Sequence, residues 1–171
     1  MIRSLVAIVF LLLAVNARAQ NPYITCVDTN QMYPYYHCTD PYYNPVCGCD
    51  GKTYRSECGA IHWGGLVTGN YRQGVCGNFD FDFVPNAIVP GSLDNDHGTL
   101  SIYSNIGPVT ALIQIYDIFG RIWYIQQTTL QIGPPVFQVD IRMDSYPQGM
   151  FLLFVTVDGE ARHMKIMKGN R

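Results

Sequence analysis

Beyond residue 98, apolar and polar positions alternate over residues 99–103, 111–117, 120–126, 136–143 and 151–157. Alternation puts successive side chains on opposite faces of an extended chain, so each stretch predicts a half-buried strand. Turn-forming residues separate them: Pro90-Gly91, Gly107-Pro108, Gly133-Pro134-Pro135, Pro147-Gln148-Gly149 and Asp158-Gly159. Short strands at this spacing predict an all-β antiparallel sandwich of about seven strands. Its span is residues 84–171, with Leu112, Ile122, Val139, Leu153 and Val155 on the inner face.

Upstream the pattern changes. Residues 20–76 hold no sustained period, and only short elements are predicted: a turn at Asp50-Gly51, a strand over residues 52–54 and a helix from Ser56 to Trp63. Gly64-Gly65 ends that helix, and residues 66–68 return as a second strand. Residues 77–83, with alternating Phe and Asp, read as a linker.

At the N-terminus Arg3, an apolar run from Leu5 to Val15 and the small-residue pattern Ala17-Arg18-Ala19 read as a cleavable signal peptide, residues 1–19, with the mature chain starting at Gln20. The run is too short to span a membrane as a helix, and no later segment is longer, so no integral membrane segment is expected after cleavage. An exported chain meets an oxidising environment, so its six cysteines are read first as disulfides. All six, Cys26, Cys38, Cys47, Cys49, Cys58 and Cys76, precede residue 77. That asymmetry predicts two modules held by different physics. A segment of about fifty residues buries too little surface to offset its conformational entropy without cross-links.

The motif Tyr43-Asn44-Pro45-Val46-Cys47-Gly48, then Asp50-Gly51-Lys52-Thr53-Tyr54, then Cys58, with Gly74-Val75-Cys76 closing the segment, resembles the centre of a Kazal-type serine protease inhibitor domain. The resemblance covers residues 26–76 and implies a small disulfide-rich α+β module. It also implies the pairing Cys26–Cys49, Cys38–Cys58 and Cys47–Cys76. This chain has Cys49 where the family usually has serine, and lacks the usual helical cysteine near Ile61. In the family a stiff, substrate-like loop follows the second cysteine and enters a protease active site. Here that loop is Thr39, Asp40, Pro41, Tyr42 and Tyr43, with Asp40 at the primary specificity position and Ser56 where the family has a bracing asparagine. The implied partner is an extracellular serine protease. Pro41 after the scissile bond, Ser56, and an aspartate costly to bury in an apolar pocket all favour a second expectation: a non-inhibitory binding or adhesion module on the same scaffold.

A second set of residues is ordered along the β-rich segment: Pro85 and Asn86 open it, Tyr116, Asp117, Gly120 and Arg121 mark its middle, and Gly149 precedes a hairpin carrying Lys165 and Lys168. This arrangement resembles the C-terminal sorting domain of the type IX secretion system of Bacteroidota. The resemblance implies an immunoglobulin-like sandwich, export through the periplasm, recognition by the type IX translocon, and a secreted or surface-attached product. A generic Ig-like adhesion domain has the same periodicity.

The formal net charge of −2 supplies no footprint for nucleic acid or an anionic membrane. The pair Cys47 and Cys49 with His37 or His62 is a possible zinc donor set, outweighed by the disulfide pattern. Asp94-Asn95-Asp96 lacks the spacing and closing glutamate of an EF-hand and reads as an Asx-rich turn. No serine sits in a nucleophile elbow, and no enzyme activity, cofactor or metal is expected. Tyrosines 33, 35, 36, 42 and 43 form a candidate binding surface.

Overall fold

The computed structural model describes residues 25–89 and 96–169. The expected signal peptide and the turn from Pro90 to Asn95 lie outside the described residues. Among those residues, no helix is long and apolar enough to cross a membrane.

In the cysteine-rich segment, strands β1 (Val46–Gly48), β2 (Thr53–Tyr54) and β3 (Tyr71–Gln73) form an antiparallel sheet in the order β2-β1-β3. The turn between β1 and β2 has Gly51 at φ +77°, and Asp50 accepts from the Lys52 backbone N–H at 3.2 Å and the Tyr54 hydroxyl at 2.8 Å. Helix α1 (Glu57–His62) starts where expected: Ser56 is extended, and its Oγ accepts from the Gly59 N–H. Gly65 follows at φ +65°, where a Cβ would meet the Asp28 carbonyl oxygen at 2.7 Å; only glycine lets the two backbones approach this closely. The core here is small: Val46, Ala60 and Leu66.

The expected strand at 66–68 is not formed. Leu66 makes an isolated bridge with Val27, and its side chain is drawn into that core. The strand that returns to β1 lies further on, at β3, after Gly69 turns the chain at φ +90°.

The rest of the described chain holds β4 (Phe79–Val84), β5 (Ala87–Ile88), β6 (His97–Ser104), β7 (Val109–Asp117), β8 (Ile122–Leu130), β9 (Phe137–Arg142), β10 (Gly149–Val157) and β11 (Glu160–Lys168). One sheet runs β5-β11-β10-β7-β8 and the other β4-β6-β9; all pairings are antiparallel except β5 with β11. Both sheets contribute to a single buried cluster, with Phe79, Phe81, Phe83, Leu100 and Ile102 from one and Ile113, Ile115, Leu153, Val155 and Ile166 from the other. The β10–β11 hairpin closes on a two-residue turn, Asp158 at φ +49° and Gly159 at φ +80°; both positive angles match the twist of the flanking strands.

Two further expectations need correction. Residues 77–83 are not a linker, because Phe79–Val84 is strand β4: its alternation is a strand period, with three phenylalanines buried and Asp80 and Asp82 between them. The expected inner face holds at Leu153 and Val155, and Val139 packs against the core. It fails at Leu112, which is only half-buried, and at Ile122, which is 50% exposed. Strand β7 has a mixed outer face, Thr110, Leu112, Gln114 and Tyr116, so an apolar residue such as Leu112 taken singly misstates its parity. Pairing decides it: Ile113 lies opposite Val155 and Ile115 opposite Leu153, which puts Ala111, Ile113 and Ile115 inside.

Candidate functional site

Three disulfides fasten the loop region. Cys26 bonds Cys49, Cys38 bonds Cys58 at the start of α1, and Cys47 on β1 bonds Cys76, the pairing that the resemblance implies. Cys38 and Cys47 therefore anchor residues 39–46 at both ends. Between the anchors, Asp40 Oδ2 accepts from Ser56 Oγ at 2.6 Å, so one side chain both caps the helix and holds the loop. The Asn44 N–H donates to the Arg55 carbonyl at 3.2 Å, Asn44 Oδ1 accepts from Gln73 Nε2 at 3.2 Å, and the Gly74 N–H donates to the Pro45 carbonyl at 2.9 Å. Thr39, Pro41 and Tyr42 stand out between these ties, with Tyr42 70% exposed.

Tyr43 departs from the rest of the expected loop. It is 5% exposed, and burial, with the Asp80 carboxylate nearby, pushes its hydroxyl well above the ordinary tyrosine range. Arg55 and Arg162 act on it in the opposite direction. These charges form the junction between the cysteine-rich segment and the two larger sheets. Arg55 pairs with Asp82, and Arg162 lies 3.4 Å from Asp80 while donating to the Cys76 carbonyl at 3.4 Å. Asn105 Nδ2 donates to the carbonyls of Val75 at 2.9 Å and Gly77 at 2.6 Å. A cleft of about 340 Å³ lined by Arg55, Asp82 and residues 83–86 opens beside this junction.

The other tyrosines of the expected surface are exposed: Tyr33, Tyr35 and Tyr36, with Tyr35 fully so. Tyr36 stacks on His62 at 3.6 Å, and its carbonyl accepts from Trp63 Nε1 at 3.0 Å, which ties the strip to α1. Cys38, Asp40 and Cys58 bring possible metal-ligand atoms together, but both sulfurs are spent in one disulfide, and none of the six cysteines is free. A thiolate zinc site at Cys47 and Cys49 is closed for the same reason.

The residues singled out in the second module are spread over its turns and its last hairpin. Asp117 ends β7, and its buried carboxylate accepts from the N–H groups of Phe119 and Arg121 at 2.9 Å, Arg121 Nε at 3.1 Å and Trp123 Nε1 at 3.0 Å. The Trp123 bond, then the backbone and the Arg121 charge, lowers its pKa against the opposing effect of burial. Gly120 completes this turn at φ +79°, and Tyr116 meets Phe154 edge-on at 5.7 Å. Gly149 faces Lys168 across the β10–β11 register. Lys168 is buried, and its Nζ donates to the carbonyls of Met143 and Asp144, whereas Lys165 is exposed. The Asn86 carbonyl accepts from the Met167 N–H at 2.9 Å, and Pro85 precedes it at the exposed end of β4. These residues serve local turns and strand ends, and the structure does not gather them into one site.

The junction residues Arg55, Asp80, Asp82, Asn105 and Arg162 were missed by sequence reasoning. The one available signal was the alternation of Phe with Asp in residues 79–83, which marks a strand with an acidic face.

No curated protein matches the chain. Among solved structures it is similar to the β-glucosidase from Listeria innocua at 14% identity, covering 53% of this chain and 16% of that one, with a TM-score of 0.36. It is similar to the CARDB domain of the PF1109 protein from Pyrococcus furiosus, solved with di-metal ions, at 12% identity, covering 55% and 93%, with a TM-score of 0.34. It is also similar to dimeric latent PorU from Porphyromonas gingivalis at 13% identity, covering 85% and 18%, with a TM-score of 0.45. Likenesses this weak define no shared activity. The family profile of the Kazal-type serine protease inhibitor domain matches residues 33–76, a span that holds the loop and five of the six cysteines. The cysteine-rich module of this chain therefore contains a Kazal-type serine protease inhibitor domain.

Proposed function

We propose that this domain inhibits an extracellular serine protease by presenting Thr39, Asp40, Pro41 and Tyr42 as a substrate-like loop, with the buried Tyr43 anchoring its C-terminal side. The observation that carries the reading is the family match over residues 33–76, within which both ends of the loop are disulfide-anchored. A loop already held in its bound shape loses little entropy on binding. With Asp40 at the primary specificity position, the preferred targets are glutamyl- or aspartyl-directed enzymes.

The test is inhibition of a serine protease panel, including acid-preferring glutamyl endopeptidases, by the oxidised chain. Tight, slowly reversible inhibition of one enzyme is the expected result. Uniform failure with all three disulfides formed overturns inhibition and leaves the second reading, a binding or adhesion module that uses the exposed tyrosines. One observation favours that alternative: the Asp40 carboxylate is tied back to Ser56.

We also infer that the chain is exported by the signal at residues 1–19 and that the β-rich module is an immunoglobulin-like type IX sorting domain. Strand β4 moves the start of that module from residue 84 to Phe79. The ordered series from Pro85 to Lys168 supports this reading, and the disulfides fit an oxidising compartment. A reporter fused ahead of residues 79–171 is expected outside a type IX-competent cell; retention in the periplasm overturns the sorting role.

A further inference from the structure

We propose that the cysteine-free module positions the protease-binding loop, with Asp82 of β4 acting through Arg55 and with Asp80, Arg162 and Asn105 securing the loop's C-terminal anchor. The inference rests on the inhibitory reading for its biological meaning, but its geometry is independent of that reading.

The Arg55-Ser56 dipeptide touches the loop on both sides of Tyr43. Ser56 Oγ holds Asp40, and the Arg55 carbonyl accepts from the Asn44 N–H. Whatever fixes Arg55 therefore fixes the frame on which the loop lies. Its guanidinium pairs with Asp82, and the two side chains retain only 31% and 22% exposure. A pair this sheltered is screened less than a surface ion pair. The other end of the loop is Cys47, bonded to Cys76. The carbonyls on either side of Cys76 accept from Asn105, its own carbonyl accepts from Arg162, and Arg162 pairs with Asp80. Each end of the loop is thus connected, within one or two contacts, to a rigid sheet with a large core. Tyr43 sits buried between them, leaving Thr39 to Tyr42 as the segment a protease can reach.

The consequence is dynamic. Cleavage of a folded loop proceeds through a transiently opened state, so loosening the frame raises cleavage at that loop and leaves already exposed sites unaffected. The experiment uses the oxidised chain and a chymotrypsin-type protease, with mass spectrometry reading cleavage at the Tyr42-Tyr43 bond. Cleavage after the fully exposed Tyr35 is the internal control. Arg55→Met and Asp82→Asn are each expected to speed cleavage at Tyr42-Tyr43 about tenfold, with the Tyr35 rate unchanged. The reversed pair, Arg55→Asp with Asp82→Arg, is expected to restore protection. Asp80→Asn is expected to act in the same direction and provides a second variant should the Asp82 change prevent folding.

The proposal is overturned if neither rate changes, if both rise together as in general loosening, or if the reversed pair is cleaved as fast as the single variants. A chain that inhibits no protease but shows the selective rise and its rescue retains the positioning role and loses the inhibitory one. An inhibitor whose cleavage is unaltered in all variants keeps the inhibitory role and loses the positioning one.

Discussion

The two halves of this chain solve the stability problem in opposite ways. The cysteine-rich domain gathers only a small apolar cluster, Val46, Ala60 and Leu66, and closes itself with three disulfides. The β-rich module has no cysteine and builds one cluster of large apolar side chains from two sheets. The first therefore depends on restricting its unfolded chain and the second on apolar burial. A small disulfide scaffold can leave a loop exposed, because little of its stability comes from covering surface. The larger module supplies the rigid face against which that scaffold is held.

The largest expected effects break this comparison in both directions. Cys47→Ala with Cys76→Ala opens a bridge spanning 29 residues, and chain entropy sets its contribution at about 3–4 kcal/mol. The domain is expected to unfold while the β-rich module keeps its transition. The reciprocal change, Leu153→Ala, removes a fully buried side chain and costs about 2–5 kcal/mol in the β-rich module alone. One tryptophan lies in each half, Trp63 and Trp123, so fluorescence of the variants carrying Trp63→Phe or Trp123→Phe follows each transition separately. If both tryptophans report one shared transition in every variant, the two halves fold as a single unit and the contrast is withdrawn.

Much of each half was legible in the sequence, and the failures share a cause. The helix cap at Ser56, the Asp50-Gly51 turn and the hairpin turn at Asp158-Gly159 are local, and residue type alone dictates them. The disulfide pairing needed the family resemblance, since cysteine positions by themselves admit many pairings. Strand parity at β7 was misread at Leu112, which is as apolar as Ile113; Thr110 and Gln114 on its own face, and the register with β10, put Ile113 inside. In the candidate site, the exposure of Tyr42 was foreseeable and the burial of Tyr43 was not. Tyr43 is buried at a junction whose groups come from residues as far apart as Arg55 and Arg162, and no local pattern reports such an encounter. The same distance hid β4. Its aspartates suggested a solvated linker, yet their partners are arginines remote in sequence, Arg55 and Arg162.

A smaller effect sharpens the contrast through acid. Asp117 is a buried acceptor whose pKa lies below its ordinary value of 3.8, chiefly because of the Trp123 indole N–H. A carboxyl depressed in the folded state contributes stability that is fully present above its unfolded pKa and is lost as pH falls through the lower, folded value. The β-rich module is therefore expected to lose stability as pH falls below 3.8, as Asp117 takes up a proton. Asp117→Asn should lower its melting temperature at neutral pH, because an amide accepts through one oxygen and turns a donor toward the surrounding N–H groups. Its advantage over the variant should shrink with acid, since protonation removes from the wild type the charge that the variant already lacks. Melting curves followed through Trp123 measure both trends. Parallel pH profiles for the two proteins would show that the turn holds its shape without the charge of Asp117, and the acid sensitivity of this module would then belong to other carboxylates.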